Sequence, residues 1–569
     1  MSDSLDSRTH VSIRLHQLFQ EEWEFRLKEN PIYATYCGDH RYDDRLPSIS
    51  LADFERRAEQ ARAFLTSLQS IARSELSPAD QLNASIFEQV LRDQLSEYAF
   101  NTHLMPVSKV AGPHASLAEL PDITPFNTAA DFKAYIHRLG RFYEYIQANI
   151  SLMRTGIQQG FTPALNALAG IEDTLLAQVV PDASQTVFAR PFQTLPAEIG
   201  SMEAAQMRQK GLQAIQKSVI PAYQRLLDFM TREYLPAART VVAASELPNG
   251  KAYYAYCVRH FTTLDLTPEQ VHQTGLEEVH RIRAEMQALI QKTGFQGDFQ
   301  AFLRFLRNDA RFYVDTPTAL LEKTALILKR MDGELPRLFK VLPRTPYGIR
   351  IVPDYSAPHN TTAYYFPPTG EGTAGYYYVN TYDLKSRPLY EMEALSFHEA
   401  VPGHHLQIAL QQEMAEVPPF RRFGEVTAFI EGWALYAERL GLEVGFYQDP
   451  YSNFGRLTYE MWRAARLVVD TGMHALGWSR QQAIDFMAEN TALSLLNIAN
   501  EVDRYIAWPG QALAYKIGEL KIRALRIYAE STLGSRFDLR EFNDVVLENG
   551  CIPLDVLERV IRDWVEGKN

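Results

Sequence analysis

Cysteine is scarce in this sequence: the 569 residues contain only Cys37, Cys257 and Cys551. The three are odd in number and far apart, so no disulfide framework is predicted. A free cysteine is usually a small buried side chain. We therefore expect core thiols in a protein that is kept in a reducing compartment.

Membrane-spanning and export segments are also missing. No stretch is apolar for the length that a bilayer crossing requires. The segment Met1–His10 is polar and slightly acidic, and it lacks the charged start and apolar run of a signal peptide. These absences predict a cytoplasmic protein with no membrane partner.

A sizeable basic run is absent as well. Lys and Arg total 57 against 69 Asp and Glu, which gives a net charge of -12. A surface of this sign repels nucleic acid and anionic lipid, so neither is expected as the main partner. The contents of 46% hydrophobic, 11% aromatic and 22% charged residues are those of an ordinary globular protein.

Helical periodicity fills most of the chain. Apolar residues recur at three- and four-residue spacing, for example at Leu15, Leu18, Phe19, Trp23 and Leu27. Thr267, Pro268 and Gln270 form a helix start with a capping box, and the helix is predicted to run to about Thr293. No internal repeat is visible. The predicted fold class is therefore mainly α.

One region has the pattern of β-strands. The runs 349–352, 362–366 and 375–380 are rich in aromatic and β-branched residues, and Pro, Gly and Thr separate the last two at 367–373. We predict a small sheet over 349–381. A chain of this length can form one body of two lobes. We divide it into an N-terminal helical lobe, 1–260, and a catalytic lobe, 261–569, which holds the sheet and two sets of site helices, 391–445 and 453–532.

The stretch Ser396–Gln407, with the sequence SFHEAVPGHHLQ, carries the chemistry of the catalytic lobe. A His-Glu pair followed by further histidines among apolar helix formers is typical of a zinc-hydrolase helix. In the common HExxH arrangement the second His lies one turn after the first, but here Pro402 takes that position and offers no ligand. Because Pro402 has no backbone N–H, the helix is predicted to kink or bulge between Ala400 and Gly403.

Two histidines compete for the place of second ligand. His404 occupies it if two residues are inserted into HExxH. His405 shares the face of His398 on an unbroken helix, but it lies about 10.5 Å further along the axis at about 1.5 Å per residue. We favour His404 and keep His405 as the alternative.

A catalytic zinc site needs a third protein ligand and one open position. Glu431 is the best candidate, because it is the only acid in the apolar helical run Thr427–Tyr436. A buried carboxylate is unfavourable unless it is metal-bound, paired or protonated. Glu425 and Glu438 have more polar surroundings. They are interpreted as residues that contact the metal ligands from outside or that lie at the surface. The alternative for the whole stretch is a set of histidines that cap and pack without a metal.

Three blocks resemble a known family: HEAVPGHHLQ at 398–407, EGWALYAE at 431–438 and RYxxWPGQALAYKIG at 504–518. The resemblance covers nearly the whole chain and is to the bacterial domain-of-unknown-function family numbered 885. That family is similar in turn to the gluzincin metallopeptidases, such as thimet oligopeptidase, angiotensin-converting enzyme and carboxypeptidase Taq. The resemblance implies a large helical body with a deep channel and a small sheet next to the zinc helix.

The resemblance also implies the roles of individual residues. The zinc ligands would be His398, His404 and Glu431. Glu399 would be the general base. Tyr515 would stabilise the oxyanion, because the similar peptidases carry a Tyr at the corresponding place after a Gly, here Gly510. Tyr505 is the second choice for this role.

Substrate contacts are predicted for Arg504, Tyr378, Asn380 and His405. Arg504 could pair with a substrate carboxylate, or instead with Asp503 or Glu501. The strand 376–380 could hold an extended peptide through edge-strand hydrogen bonds. His405 could alternatively orient the metal ligands from outside.

The function expected from the sequence is that of a zinc metallopeptidase. Zn²⁺ would be the cofactor, a short peptide the substrate, and Glu399 the group that activates water. The alternatives are a zinc hydrolase of a non-peptide amide and a catalytically silent peptide-binding protein with a peptidase-like shell. Endo- or exopeptidase action, the identity of the divalent metal and the oligomeric state stay open.

Overall fold

The computed structural model describes residues 2–354, 356–368 and 372–568. The protein is 71% helical and carries a small three-stranded sheet, so the prediction of a mainly α fold is confirmed. Within these residues, no helix has both the length and the apolar character that a membrane crossing requires.

The first thirteen helices lie before residue 263. In chain order, α1 to α13 are Ser2–Glu29, Pro31–Tyr36, Leu51–Gln69, Pro78–Ala99, Pro113–Ser116, Leu120–Ile123, Ala129–Leu139, Phe142–Gln159, Ile171–Leu176, Ser201–Ala214, Ile220–Phe229, Leu235–Ala237 and Gly250–Thr262.

The remaining helices, α14 to α26, are Pro268–Thr293, Phe299–Asn308, Pro317–Leu338, Met392–Glu399, His404–Gln412, Pro419–Arg422, Thr427–Leu440, Pro450–Ala475, Arg480–Asn490, Leu495–Ala507, Ala514–Leu533, Leu539–Leu547 and Leu554–Gly567.

Local capping chemistry sets the start of α14 as predicted. The Thr267 hydroxyl accepts a hydrogen bond from the Gln270 amide at 3.2 Å, and Gln270 Oε1 accepts one from the Thr267 amide at 2.9 Å. This reciprocal pair satisfies two backbone donors that a helix start leaves free. The helix ends at Thr293, where Gly294 takes a left-handed conformation with φ 71°.

The sheet consists of β1 (Tyr347–Ile351), β2 (Ala363–Phe366) and β3 (Gly375–Val379), close to the three predicted runs. Of the predicted region, residues 355 and 369–371 lie outside the described residues. The strand order is β1-β3-β2, with β1 parallel and β2 antiparallel to β3. Because β3 is paired on both sides, the prediction that 376–380 offers an edge for a peptide is wrong.

Buried apolar side chains group the chain differently from the predicted lobes. One core joins side chains from 15–91 to others between 254 and 565; for example, the ring of Phe420 lies 4.9 Å from Phe19 and 5.1 Å from Phe87. A second core is built from residues 107–234. The division at residue 260 stays a prediction, but the first four helices pack with the C-terminal half.

All three cysteines are free. Cys257 and Cys551 are buried, as expected for core thiols, whereas Cys37 is half-buried. Burial raises the pKa of the Cys551 thiol to about 11, so it is protonated at neutral pH.

Helices α20 and α24 approach each other closely at two glycines. A Cβ on Gly432 would lie 2.5 Å from Cα of Gly518, and a Cβ on Gly518 would lie 2.0 Å from the Ala428 carbonyl oxygen. Real Cβ atoms do not approach backbone this closely, so both positions require glycine. The contact holds the helix that carries Glu431 against the helix that carries Tyr515.

Gly432→Ala is therefore expected to destabilise the protein by about 1–3 kcal/mol, the usual cost of overpacking a core. Denaturant and thermal unfolding followed by circular dichroism measure the change. The control is Gly333→Ala in α16, an exposed helical position with no heavy atom within 4 Å of the new Cβ. That variant should be neutral or stabilised by roughly 0.5–1 kcal/mol. Equal stability of the two variants would contradict the close approach of α20 and α24.

Candidate metal centre

A break in the helix brings two histidines together. Helix α17 ends at Glu399, the backbone leaves the helix at Ala400 (φ -109°, ψ -102°), and α18 begins at His404. The Val401–Pro402 peptide is cis. The predicted break between Ala400 and Gly403 is thus present. The break accommodates the two extra residues between His398 and His404, relative to the histidine spacing in HExxH.

Gly403 allows the chain to fold back on the end of α17. A Cβ at this position would lie 2.0 Å from the carbonyl oxygen of His398 and 2.3 Å from that of Phe397. Only a residue without a side chain fits so close to the backbone. The imidazole of His404 consequently meets that of His398, with ring centroids 4.7 Å apart and planes at 86°.

Glu431 on α20 completes the cluster. Its Oε2 lies 3.5 Å from Nε2 of His398 and 3.4 Å from Nε2 of His404. One ligand atom from each residue falls within 4.8 Å of the other two. The structure therefore places His404, and not His405, beside the other two predicted ligands.

The charges within the cluster are consistent with a cation site. Burial disfavours the ionised form of Glu431, but His404 and His398 outweigh it and hold its pKa well below the ordinary value. Within the described part of the chain, the buried Oε2 of Glu431 has no hydrogen-bond donor. A buried carboxylate oxygen faced by two imidazole nitrogens and left without a donor is what a metal ion would satisfy.

Glu438 fixes the orientation of His398 from the outside. Its Oε1 lies 2.9 Å from Nδ1 of His398 and 3.4 Å from Nη2 of Arg463. A carboxylate on Nδ1 leaves Nε2 directed at the cluster, the arrangement that metal-binding histidines usually have. Glu438 is 1% exposed, so the interpretation as an outer partner fits and the interpretation as a surface residue does not.

Glu399 and Tyr515 lie next to the cluster. Burial raises the pKa of Glu399, which is 8% exposed, against the opposing effect of the two imidazoles. The ring of Tyr515 lies parallel to that of His398 at 6.2 Å between centroids. The Tyr515 hydroxyl accepts a weak hydrogen bond from Gln511 at 3.4 Å, so it can still act as a donor.

Tyr505 and Arg504 lie in a buried network that is connected to Tyr515 through Gln511 and Arg466. The Tyr505 hydroxyl donates to Glu501 at 2.9 Å and accepts from both Trp462 and Arg466 at 2.8 Å. Arg504 pairs with Glu501 at 3.0 Å and donates to Gln511 at 2.6 Å. The hydroxyl of Tyr505 is saturated here, and Arg504 has taken the protein partner Glu501 rather than Asp503.

His405 points away from the cluster. Its Nδ1 lies 2.9 Å from the Tyr365 hydroxyl, and its Nε2 lies 3.1 Å from the carbonyl of Thr345. Burial lowers the pKa of His405 to about 4, so the ring is neutral at pH 7. Both ring nitrogens are engaged in holding the sheet region to α18, which leaves none for a metal.

Tyr378 and Asn380 lie on the sheet rather than at the cluster. Asn380 is fully buried, and its side-chain amide donates to the carbonyls of Ala357 and Thr361 at 2.9 Å. Tyr378 stacks on Tyr364 with centroids 4.8 Å apart. Asn380 thus fixes a loop, and only Tyr378 keeps a half-exposed face.

Sequence reasoning missed the arginines of α21. Arg463 touches Glu438, and Arg466 lies 4.2 Å from the ring centroid of Tyr515 while pairing with Glu501 at 2.9 Å. Both are buried in the run 461–469, whose other residues are apolar. The reasoning that selected Glu431, a charge embedded among apolar residues, would have selected them too.

Comparison with known proteins supplies a family and two solved relatives. The family model described as "Bacterial protein of unknown function (DUF885)" matches residues 31–561. No curated protein matches the chain. A structure described as a putative lipoprotein from Colwellia psychrerythraea is 30% identical, covers 99% of this chain and 100% of its own, and superposes with a TM-score of 0.91.

A second solved structure is similar in fold alone. It is described as a putative lipoprotein of unknown function from Shewanella oneidensis, is 18% identical, covers 96% of this chain and 99% of its own, and has a TM-score of 0.71. Both relatives are named as lipoproteins, which are anchored to a membrane through lipid. The cytoplasmic location predicted from the N-terminal segment is therefore wrong.

The cluster geometry predicts about one zinc ion per chain in the purified protein. His398→Ala, His404→Ala and Glu431→Ala should each lose it, because each removes a ligand. His405→Ala is the matched control and should retain it, since His405 faces Tyr365 and Thr345. Elemental analysis of folded, chelator-free protein measures the content. Loss of metal from His405→Ala with retention in His404→Ala would reverse the assignment.

Proposed function

We propose that this chain, which belongs to the bacterial DUF885 family, is a zinc-dependent hydrolase of peptide bonds in short peptides. The observation that carries the proposal is the convergence of His398, His404 and Glu431, with the donor-free oxygen of Glu431 between two imidazole nitrogens. A buried acid, Glu399, and a tyrosine hydroxyl, that of Tyr515, stand beside it.

The donor set suits zinc. Two imidazoles and one carboxylate are the protein ligands of a common class of catalytic zinc site, in which one position stays open. A zinc ion held by His398, His404 and Glu431 would supply Lewis-acid polarisation of a carbonyl and of water. Glu438 would keep His398 in the tautomer that presents Nε2.

Glu399 is assigned the proton transfers. It follows His398 directly at the end of α17, so both residues lie immediately before the break in the helix. A carboxylate oxygen of Glu399 would take a proton from the attacking water and pass it to the nitrogen of the leaving amine.

Tyr515 is assigned the stabilisation of charge on the peptide oxygen. Its hydroxyl would donate a hydrogen bond to the carbonyl oxygen as negative charge develops there. The ring is held between His398 and the guanidinium of Arg466, and Gln511 contacts the hydroxyl. This support on three sides keeps the donor in place before substrate arrives.

The proposal agrees with the resemblance to gluzincin metallopeptidases that the sequence blocks suggest. In that comparison His398 and His404 would be the histidine ligands and Glu399 the general base. Glu431 would be the third ligand, on a later helix. The longer spacing from His398 to His404 is compatible with it, because the bend at Gly403 returns the second imidazole to the first.

Native protein is expected to hydrolyse members of a mixed pool of short peptides, and Glu399→Gln should lose this activity by roughly 10²–10⁴-fold while retaining its metal. Mass spectrometry of the pool and elemental analysis measure the two effects. Glu416→Gln, an exposed site, is the control for loss of a carboxylate. Turnover of N-acyl compounds but not peptides would favour a non-peptide amide, and no turnover of either would leave a silent binding protein.

Tyr515→Phe should lower kcat by roughly 10²–10³-fold, the usual effect of removing one oxyanion donor, with metal content unchanged. Tyr143→Phe, 43% exposed, is the matched control. Tyr505→Phe should act on stability instead, because its hydroxyl serves Glu501, Trp462 and Arg466. An unchanged kcat in Tyr515→Phe would remove Tyr515 from the mechanism.

A further inference from the structure

A cavity of about 830 Å³ lies between the first four helices and the segment that leads into α20. Much of its wall is apolar or aromatic, formed by Phe25, Phe54, Phe64, Tyr33, Tyr36 and Tyr145. This volume lies within the usual range of small-ligand sites, roughly 300–1,000 Å³.

The cavity wall and the candidate metal centre share the region where α20 begins. Tyr36 in the cavity wall contacts the ring of Phe366 on β2 at 6.2 Å, and the neighbouring Tyr365 bonds to His405. Glu425, also in the wall, lies two residues before α20, and the candidate ligand Glu431 lies six residues further along the chain. An extended peptide of a few residues, at about 3.3 Å per residue, could therefore span the two.

The arginines of the wall are already neutralised. Arg26 binds Glu22 at 2.8 Å, and Arg57 binds Glu29 at 2.9 Å. Glu119 and Glu425 belong to the same wall, and within the described residues neither has an ion-pair partner. A third wall carboxylate, Glu97, lies near His260. The cavity consequently carries excess negative charge.

Solvent in the cavity reaches two of these carboxylates, because Glu119 and Glu425 are exposed side chains of its wall. The protein around the cavity still disfavours their ionised forms and raises the pKa of each. Glu22, 2% exposed, is in the same wall, and its Oε2 has no hydrogen-bond donor in the described part of the chain.

Tyr36 lines the same cavity as the two carboxylates that have no ion-pair partner among the described residues. Burial raises the pKa of Tyr36, and Glu425 and Glu119 both add to the rise, as nearby anions do. Enclosed anions beside an aromatic ring stabilise a cation through charge pairing and through the electron-rich face of the ring. An anionic ligand would instead be repelled.

We propose that the cavity binds the positively charged group of a peptide, an ammonium or a guanidinium, with Glu119 and Glu425 as charge partners and Tyr36 as aromatic contact. The assignment rests on the proposed peptidase function and adds a substrate class to it: short peptides with a positive charge, in preference to neutral or acidic ones. The charge can come from a free amino terminus or from a Lys or Arg side chain.

Binding to the metal-loaded Glu399→Gln protein tests the assignment without turnover. Four pentapeptides of one sequence are titrated by calorimetry: with a free or an acetylated amino terminus, and with lysine or norleucine at one position. At least one charged form should bind about 10-fold or more tightly than the doubly neutral form, as charged hydrogen bonds usually provide. Acetylation identifies the terminus as the source, and norleucine identifies the side chain.

Second-site variants then locate the contact. Adding Glu425→Gln or Glu119→Gln should bring the preference close to unity, whereas adding Glu416→Gln, an exposed control, should leave it unchanged. Glu425→Lys should reverse it in favour of a pentapeptide with glutamate at the varied position, a result that loss of folding cannot produce. Melting curves confirm that each variant is folded.

The failures of the two proposals are distinguishable. Peptide binding without a charge preference, or a preference that the Glu119 and Glu425 variants keep, overturns the cavity assignment and leaves the peptidase proposal standing. Absence of binding by all four peptides, together with absence of hydrolysis of the mixed pool by native protein, overturns both.

Discussion

The carboxylate of Glu431 facing the imidazoles of His398 and His404 is the interaction on which the candidate site depends. Its partners sit on two helices, α17 and α18, and Glu431 itself comes from a third, α20. Each is placed by a steric requirement for glycine: Gly403 folds the chain back on α17, and Gly432 lets α20 approach α24. The side chains of His398, His404 and Glu431 provide the ligand atoms. The absence of a side chain at Gly403 and Gly432 allows the backbone segments to approach each other closely.

The surrounding lobe buries many other charges, and some of these form closed sets. Lys516, fully buried, contacts carboxylates of Glu278, Glu460 and Glu519 at 2.8–3.0 Å. Every charge in such a set is paired within the protein and needs no further ligand. Removing one partner would leave a buried charge unpaired, at a cost of several kcal/mol. Glu431 retains an oxygen without a donor. Glu22 and Glu438 also retain such an oxygen, so the feature that distinguishes the candidate centre is the approach of two imidazole nitrogens to the oxygen of Glu431.

Local features and the three candidate ligands were predictable from the sequence, whereas the strand order and the packing of the first four helices were not. The capping box of α14 and the three strands depend on neighbouring residues, and they lie where predicted. Strand order depends on how the chain crosses over, so the central position of β3 was missed. The partner of Arg504 could have been predicted, because Glu501 lies three residues earlier on the same helical face. Asp503, the neighbouring residue, does not lie on that face. The prediction of a cytoplasmic location rested on the absence of export and membrane-spanning patterns, and such an absence does not identify a location.

The walls around the centre would also limit what a hydrolase of this structure could cleave. Glu399 is 8% exposed at the end of a helix, and the adjoining space of about 830 Å³ is bounded by helices of the first core. A folded domain is far wider than such a space, whereas an extended fragment of a few residues fits within it. A hydrolase of this build would spare intact proteins around it and act only on pieces that another enzyme had already released.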